Sequence, residues 1–215
     1  MNKYLAEVIG TFALVFCGTG AIIINQESAG VITHSGIAIT FGLIVAAMIY
    51  TLGDISGAHL NPAVSFAFWI AKVFPGKEVI PYIISQTIGA FIASLTLHCL
   101  FPANLKLGST IPAGEPMQSF ILELILTFIL MLVIMRVAKG SKEQGLFAGI
   151  AIGSVVLLEA MFAGPICGAS MNPIRSIAPA VVSGYMQSLW VYILAPIIGA
   201  ILAVFAYTIL KKEGS

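Results

Sequence analysis

Apolar residues recur along this chain in unbroken runs, without the 3.6-residue or two-residue alternation of elements half-buried in a soluble domain. Six runs, at roughly 5–24, 33–53, 79–100, 118–138, 146–163 and 189–210, are long enough for a hydrocarbon core that takes about 20 apolar residues to cross. Each predicts a membrane-spanning helix. Two further apolar pieces, Pro62 to about Val73 and Pro173 to about Val182, are too short to span. Both start with a proline straight after an asparagine, and asparagine is a favoured N-cap while proline suits the first helical position. The predicted fold class is an all-α polytopic membrane protein with six transmembrane helices and two re-entrant half-helices.

Composition agrees with that pattern. Of the 215 residues 59% are hydrophobic and only 9% charged, with a mean hydropathy of +1.04, whereas about a quarter of an average soluble domain is charged. The net charge of +1 is spread over segment ends and forms no basic stripe, which excludes nucleic acid as the partner. Cys17, Cys99 and Cys167 show no CxxC spacing and read as packing residues rather than disulfide or zinc ligands. The first run is too long for a signal-peptide core, carries Glu7 and lacks a small-residue cleavage site, so it reads as a span.

If the six spans alternate, Lys3, Lys72, Lys77, Arg136, Lys139, Lys142, Lys211 and Lys212 fall on one side, leaving Lys106 and Arg175 opposite. Lys and Arg accumulate in cytoplasmic loops, so both termini are expected in the cytoplasm, with the protein in the plasma (inner) membrane. The Asn61 and Asn172 segments then enter from opposite faces.

The chain also repeats itself. "AEVIGTF" at 6–12 answers "LELILTF" at 122–128, "SGIAIT" at 35–40 answers "AGIAIG" at 148–153, and "QTIGAF" at 86–91 answers "PIIGAI" at 196–201. "SGAHLNPAVS" at 56–65 and "CGASMNPIRS" at 167–176 are a fourth match in the same order. With three spans in each half, the second half sits upside down relative to the first, an inverted-topology repeat. One channel domain over 1–215 is expected, with repeats at about 1–108 and 115–215.

Irregular backbone is tolerated at membrane depth only where it is buried in protein or lines a watery cavity, so the two polar segments imply a cavity. Half-helices meeting near the midplane would aim two N-termini, each worth about half an elementary positive charge, at its centre. Asn61 and Asn172 would cap them and offer N–H groups to a solute oxygen.

On these motifs the chain resembles the aquaporin (major intrinsic protein) family over essentially its whole length. "SGIAITFGLIVAAMIYTLG" and "AGPICGASMNP" are most similar to its nodulin-26-like, aquaglyceroporin-like subgroup. Pores of this type are a known case in which an arginine or half-helix dipoles exclude protons and cations. The resemblance implies a channel, not an enzyme, needing no cofactor or metal, with water, small neutral solutes and the lipid bilayer as partners and a homotetramer as its assembly.

It also implies site residues. Asn61, Pro62 and Ala63 with Asn172, Pro173 and Ile174 are the central motifs, Ile174 standing where the family usually has alanine, so that it either narrows the centre or packs into the wall. Counting from each asparagine gives a selectivity filter of Phe41, Ala160, Ala169 and Arg175. Strict water channels of the family place histidine and often cysteine at the two alanine positions, so a wider pore passing more than water is expected. Gly57, Ala58, His59, Gly168 and Ser170 are expected to line the path with loop backbone, His59 by its carbonyl rather than as a titrating switch. Glu7 and Glu123 are expected to accept hydrogen bonds from the re-entrant loops. Glu159 is placed with them as a loop support that orients Arg175, with a neutral buried carboxyl and a gating group as its alternatives. Asp54 adds a carboxylate near the inner mouth.

Other conspicuous residues have plainer readings. His34 and His98 sit near outer span ends as interfacial residues, and no metal site is assigned to them with Cys99. Trp69 and Trp190 read as helix-end or interface anchors. No catalytic constellation is present, so the chain is not read as an enzyme. The function expected is a passive channel for water and small uncharged solutes, glycerol-like polyols and metalloid acids such as arsenious or boric acid, that excludes ions and protons. A strictly water-selective pore is the alternative. An ion-coupled transporter using Glu7, Glu123 and Glu159 is a third reading, disfavoured by the facing helix N-termini and Arg175.

Overall fold

A computed structural model describes residues 2–139 and 145–212. They form α1 (Asn2–Glu27), α2 (Thr33–Ser56), α3 (Pro62–Ile70), α4 (Gly76–Leu100), α5 (Pro116–Lys139), α6 (Ala148–Cys167), α7 (Pro173–Ser183) and α8 (Leu189–Lys212). Six of these are long and apolar enough to cross a membrane, and α3 and α7 are the short pair. Lys142 lies outside the described residues, as do the side chains of Lys139, Lys211 and Lys212.

Two boundaries differ from the sequence reading for physical reasons. Helix α1 starts at Asn2 rather than near Leu5, because its polar first turn is tied to α4: Lys3 Nζ lies 2.9 Å from Glu78 Oε2, and the Tyr4 hydroxyl donates to the same oxygen at 2.7 Å. Helix α3 ends at Ile70 rather than Val73. Lys72 turns left-handed (φ 58°), and the amides of Val73 and Phe74 both fold back onto the Phe68 carbonyl.

The helices bury small residues inward and apolar ridges outward. On α4, Ile80, Ile84, Ile88 and Ile92 form an exposed row at i, i+4 spacing, which only a lipid environment leaves unpenalised. Inward, α1 crosses α4 where a Cβ on Gly89 would meet the Val8 carbonyl, and α5 crosses α8 where one on Gly199 would meet the Leu124 carbonyl. Close backbone approach at small residues is how helices associate without a hydrophobic driving force. Helices α2 and α6 pack together, and α3 and α7 meet in the middle of the bundle, each leaning on α4 and α8.

Candidate functional site

Helices α2 and α6 both end in glycines at positive φ, Gly57 at 85° and Gly168 at 87°, a conformation that lacks a steric penalty only without a Cβ. The loops that follow stay unusual: Ala58, Leu60, Ala169 and Met171 have φ of 46°, 51°, 42° and 52°. Such backbone costs about 1–3 kcal/mol per residue and persists only when its surroundings hold it.

Two buried carboxylates do the holding. Glu7, fully buried on α1, accepts from the amides of His59 (2.9 Å) and Leu60 (2.8 Å), the Ser56 hydroxyl (2.8 Å) and Gln86 Nε2 (2.8 Å). Glu123, fully buried on α5, accepts from the amides of Ser170 (2.7 Å) and Met171 (2.8 Å).

Each loop then delivers an asparagine to the start of a short helix. Asn61 and Asn172 have extended backbone, are followed by proline, and accept from the Ala63 amide at 2.9 Å and the Ile174 amide at 3.2 Å respectively. Their carboxamides cross over: Asn61 Nδ2 donates to the Met171 carbonyl and Asn172 Nδ2 to the Leu60 carbonyl, both at 2.8 Å. An amide nitrogen carries two hydrogens, so each keeps one N–H for a passing solute. These crossed bonds bring the N-termini of α3 and α7 together, concentrating positive partial charge where a permeating cation would have to shed water.

A cavity of about 530 Å³ runs beside the asparagines. At the end where α2 and α5 finish it is lined by Tyr50, Asp54 and Ala138, and further in by Leu14, Val45 and Ile134. Gly57, Ala58, His59, Asn61, Ser170 and Asn172 contribute to one side of it, and Phe41, Ala169 and Arg175 also line it. The Arg175 guanidinium carbon lies 5.0 Å from the centroid of the Phe41 ring, and its Nη1 donates to the Gly108 carbonyl at 2.9 Å. The Phe41 ring lies against Gly18 of α1, where a Cβ would be 2.6 Å from Phe41 Cδ1 and nearer still to two other ring carbons.

Several expected residues stand elsewhere. Ala160, on α6, and Gly168 are not among the residues lining the cavity. Ile174 does not narrow the centre: it packs against Val15 of α1 and Ala90 and Ala93 of α4, behind the loop. Ile174→Ala should therefore lower stability by about 2–4 kcal/mol, the cost of a buried cavity, and leave water permeability per folded channel unchanged. Thermal unfolding and stopped-flow swelling of the same preparation check both halves of that statement. Glu159 does not support a loop. It is 4% exposed, and neither carboxylate oxygen has a hydrogen-bond partner among the described residues; Arg175 turns to Gly108 instead. The His59 imidazole is packed among Phe68, Phe74 and Tyr82, with Nδ1 3.0 Å from the Ser65 hydroxyl.

Residues that sequence reasoning passed over include Ser56 and Gln86 on Glu7, and Gly108 on Arg175. Gln86 had a signal, since it opens the repeated "QTIGAF" segment. Gly108, in the connection between α4 and α5, had none.

The chain matches the Major intrinsic protein family over residues 1–207. It is 46% identical over 212 residues to Aquaporin NIP1-1 of Oryza sativa subsp. japonica, covering 98% of this chain and 75% of that one. To Nodulin-26 of Glycine max it is 44% identical over 212 residues, covering 98% and 78%. Among solved structures it is similar to the aquaglyceroporin from Plasmodium falciparum, with a TM-score of 0.86 at 27% identity over 96% of this chain and 94% of that one. Paired loops, crossed asparagines and a polar-sided cavity among six spans agree with these matches, and the chain belongs to the major intrinsic protein family, as a multi-pass integral membrane channel for water and small solutes.

Proposed function

We propose that this channel passes small uncharged solutes larger than water, glycerol-like polyols and metalloid acids such as arsenious or boric acid, while excluding ions and protons. The observation that carries this is the make-up of the cavity. Asn61, Asn172 and Arg175 offer donors to hydroxyl oxygens, while Phe41, Val45, Leu14 and Ala169 offer apolar surface to a carbon backbone or a compact neutral hydroxide. The small side chain of Ala169 leaves room in the cavity wall, and the similar Plasmodium structure is described as an aquaglyceroporin. Arg175 and the two facing helix N-termini disfavour cations.

In this reading the chain is one channel unit of two inverted halves, about 1–108 and 115–215. Phe41, Ala160, Ala169 and Arg175 form the filter, Asn61 and Asn172 orient solutes, and Glu7 and Glu123 hold the loops. Four copies assemble, each with its own pore, in the plasma (inner) membrane with both termini in the cytoplasm, as the lysine and arginine distribution favours.

A strictly water-selective pore is the second reading, favoured by the 5.0 Å approach of Arg175 to Phe41. An ion-coupled transporter is not favoured, because Glu7 and Glu123 are committed to loop amides and neither they nor Glu159 lines the cavity. Stopped-flow light scattering on proteoliposomes decides among them. Glycerol or arsenious acid entry well above empty vesicles is the expected result; water permeation alone would overturn the wide-filter reading, and flux that collapses with a proton uncoupler would overturn the channel's passivity.

A further inference from the structure

We infer that His34 is a positioning residue that latches together the two walls of the filter, by occupying a backbone carbonyl that Pro165 leaves without a helical partner. Helix α6 contains Pro165, which has no N–H, so the carbonyl of Met161 one turn earlier loses its i→i+4 donor. The imidazole of His34, from the first turn of α2, fills that vacancy: Nε2 lies 2.6 Å from the Met161 oxygen. A carbonyl only accepts, so Nε2 carries the hydrogen and donates. Gly164 makes the approach possible, since a Cβ there would stand 2.8 Å from His34 Cε1.

The bond joins two particular places. His34 and Phe41 are seven residues apart on α2 and so share one face of it, while Met161 adjoins Ala160 and lies about two turns before α6 leads into Gly168 and Ala169. Further along, α2 and α6 are held by close packing, Gly42 lying against the Gly153 carbonyl, where a Cβ would be 2.6 Å away. Tyr50 and the Ile150 amide tie the pair near one end, and at the other end His34–Met161 is a polar tie. Its importance for solute choice rests on the filter reading proposed above, but its existence as a latch does not.

The test is a double-mutant cycle on the full chain in lipid nanodiscs and proteoliposomes, using His34→Leu, His34→Gln, Pro165→Ala and His34→Leu/Pro165→Ala. Stranding this part-buried carbonyl should speed amide exchange in residues 162–168 by about tenfold in His34→Leu and shift the glycerol-to-water permeability ratio by about twofold or more. His34→Gln, which keeps a donor, should stay nearer the unmodified protein. In the Pro165→Ala background the restored amide at 165 serves Met161, so residue 34 should cease to matter in both measurements. Should His34→Leu fail to fold, recovery of folding in the double variant supports the same latch. Unchanged exchange in His34→Leu, or an equal effect with and without Pro165, overturns it. If exchange responds as expected while the unmodified protein passes no glycerol, the latch stands and the wide-filter reading fails.

Discussion

Glu123→Leu should abolish water permeation per channel and lower stability by about 2–6 kcal/mol, because two buried amides, those of Ser170 and Met171, would each be left without an acceptor at about 1–3 kcal/mol. The loss exceeds a simple hydrogen-bond deletion, since the loop with left-handed Ala169 and Met171 then loses its carboxylate anchor and is held only by weaker ties such as Asn61 on the Met171 carbonyl. Glu7→Leu strands the His59 and Leu60 amides in the same way and also releases the Ser56 hydroxyl and Gln86, so its effect should be at least as large. Glutamine at either position retains one acceptor oxygen but turns an NH₂ towards the second amide, so it should fall between leucine and the unmodified protein. Thermal unfolding and stopped-flow swelling of the four variants give the order; a Glu123→Gln protein that melts and conducts like the unmodified one would show that the carboxylate is not the anchor.

Gly18→Ala should cut glycerol permeability by about tenfold, equivalent to about 1.4 kcal/mol of barrier, with a smaller loss for water. Gly18 bears on the proposed filter only through what it lacks. A methyl there overlaps the Phe41 ring, and the ring can yield only away from α1, towards the cavity it lines and the Arg175 guanidinium 5.0 Å from its centroid. Phe41→Leu in the Gly18→Ala background removes the overlapping ring carbons and should return glycerol flux. Equal losses of water and glycerol, or no recovery in the double variant, would place the damage in overpacking of α1 rather than in the aperture.

Six spans and two capped half-helices were legible in the chain because membrane thickness and capping chemistry are local constraints: a run of apolar residues or an Asn-Pro pair carries its meaning without knowing its neighbours. The paired motifs were legible for the same reason, as were Glu7 and Glu123, charges that an apolar run retains only for a purpose. What Ile174 and Glu159 do was not legible. Both were read by their sequence distance from pore motifs, yet neighbours in sequence diverge on a helix. Ile174 turns to α1 and α4, and Glu159, one residue from Ala160, hydrogen-bonds to neither loop among the described residues.

His34 shows the same division from the other side: near a span end it read as interfacial, and only its approach to a carbonyl 127 residues away reveals a partner. The amino-acid sequence by itself determined the membrane class, the number of spans, the two half-helices and the residues that cap and anchor them. Only the tertiary structure decided how the cavity is walled: the crossing of the two asparagines onto each other's loops, the placing of Phe41 on Gly18 and the hold of Gly108 on Arg175. The physical reason is range. Capping, helix length and proline geometry act within a turn or two of backbone, whereas an aperture is a distance between helices remote in sequence, set by whichever side chains happen to be small where they cross.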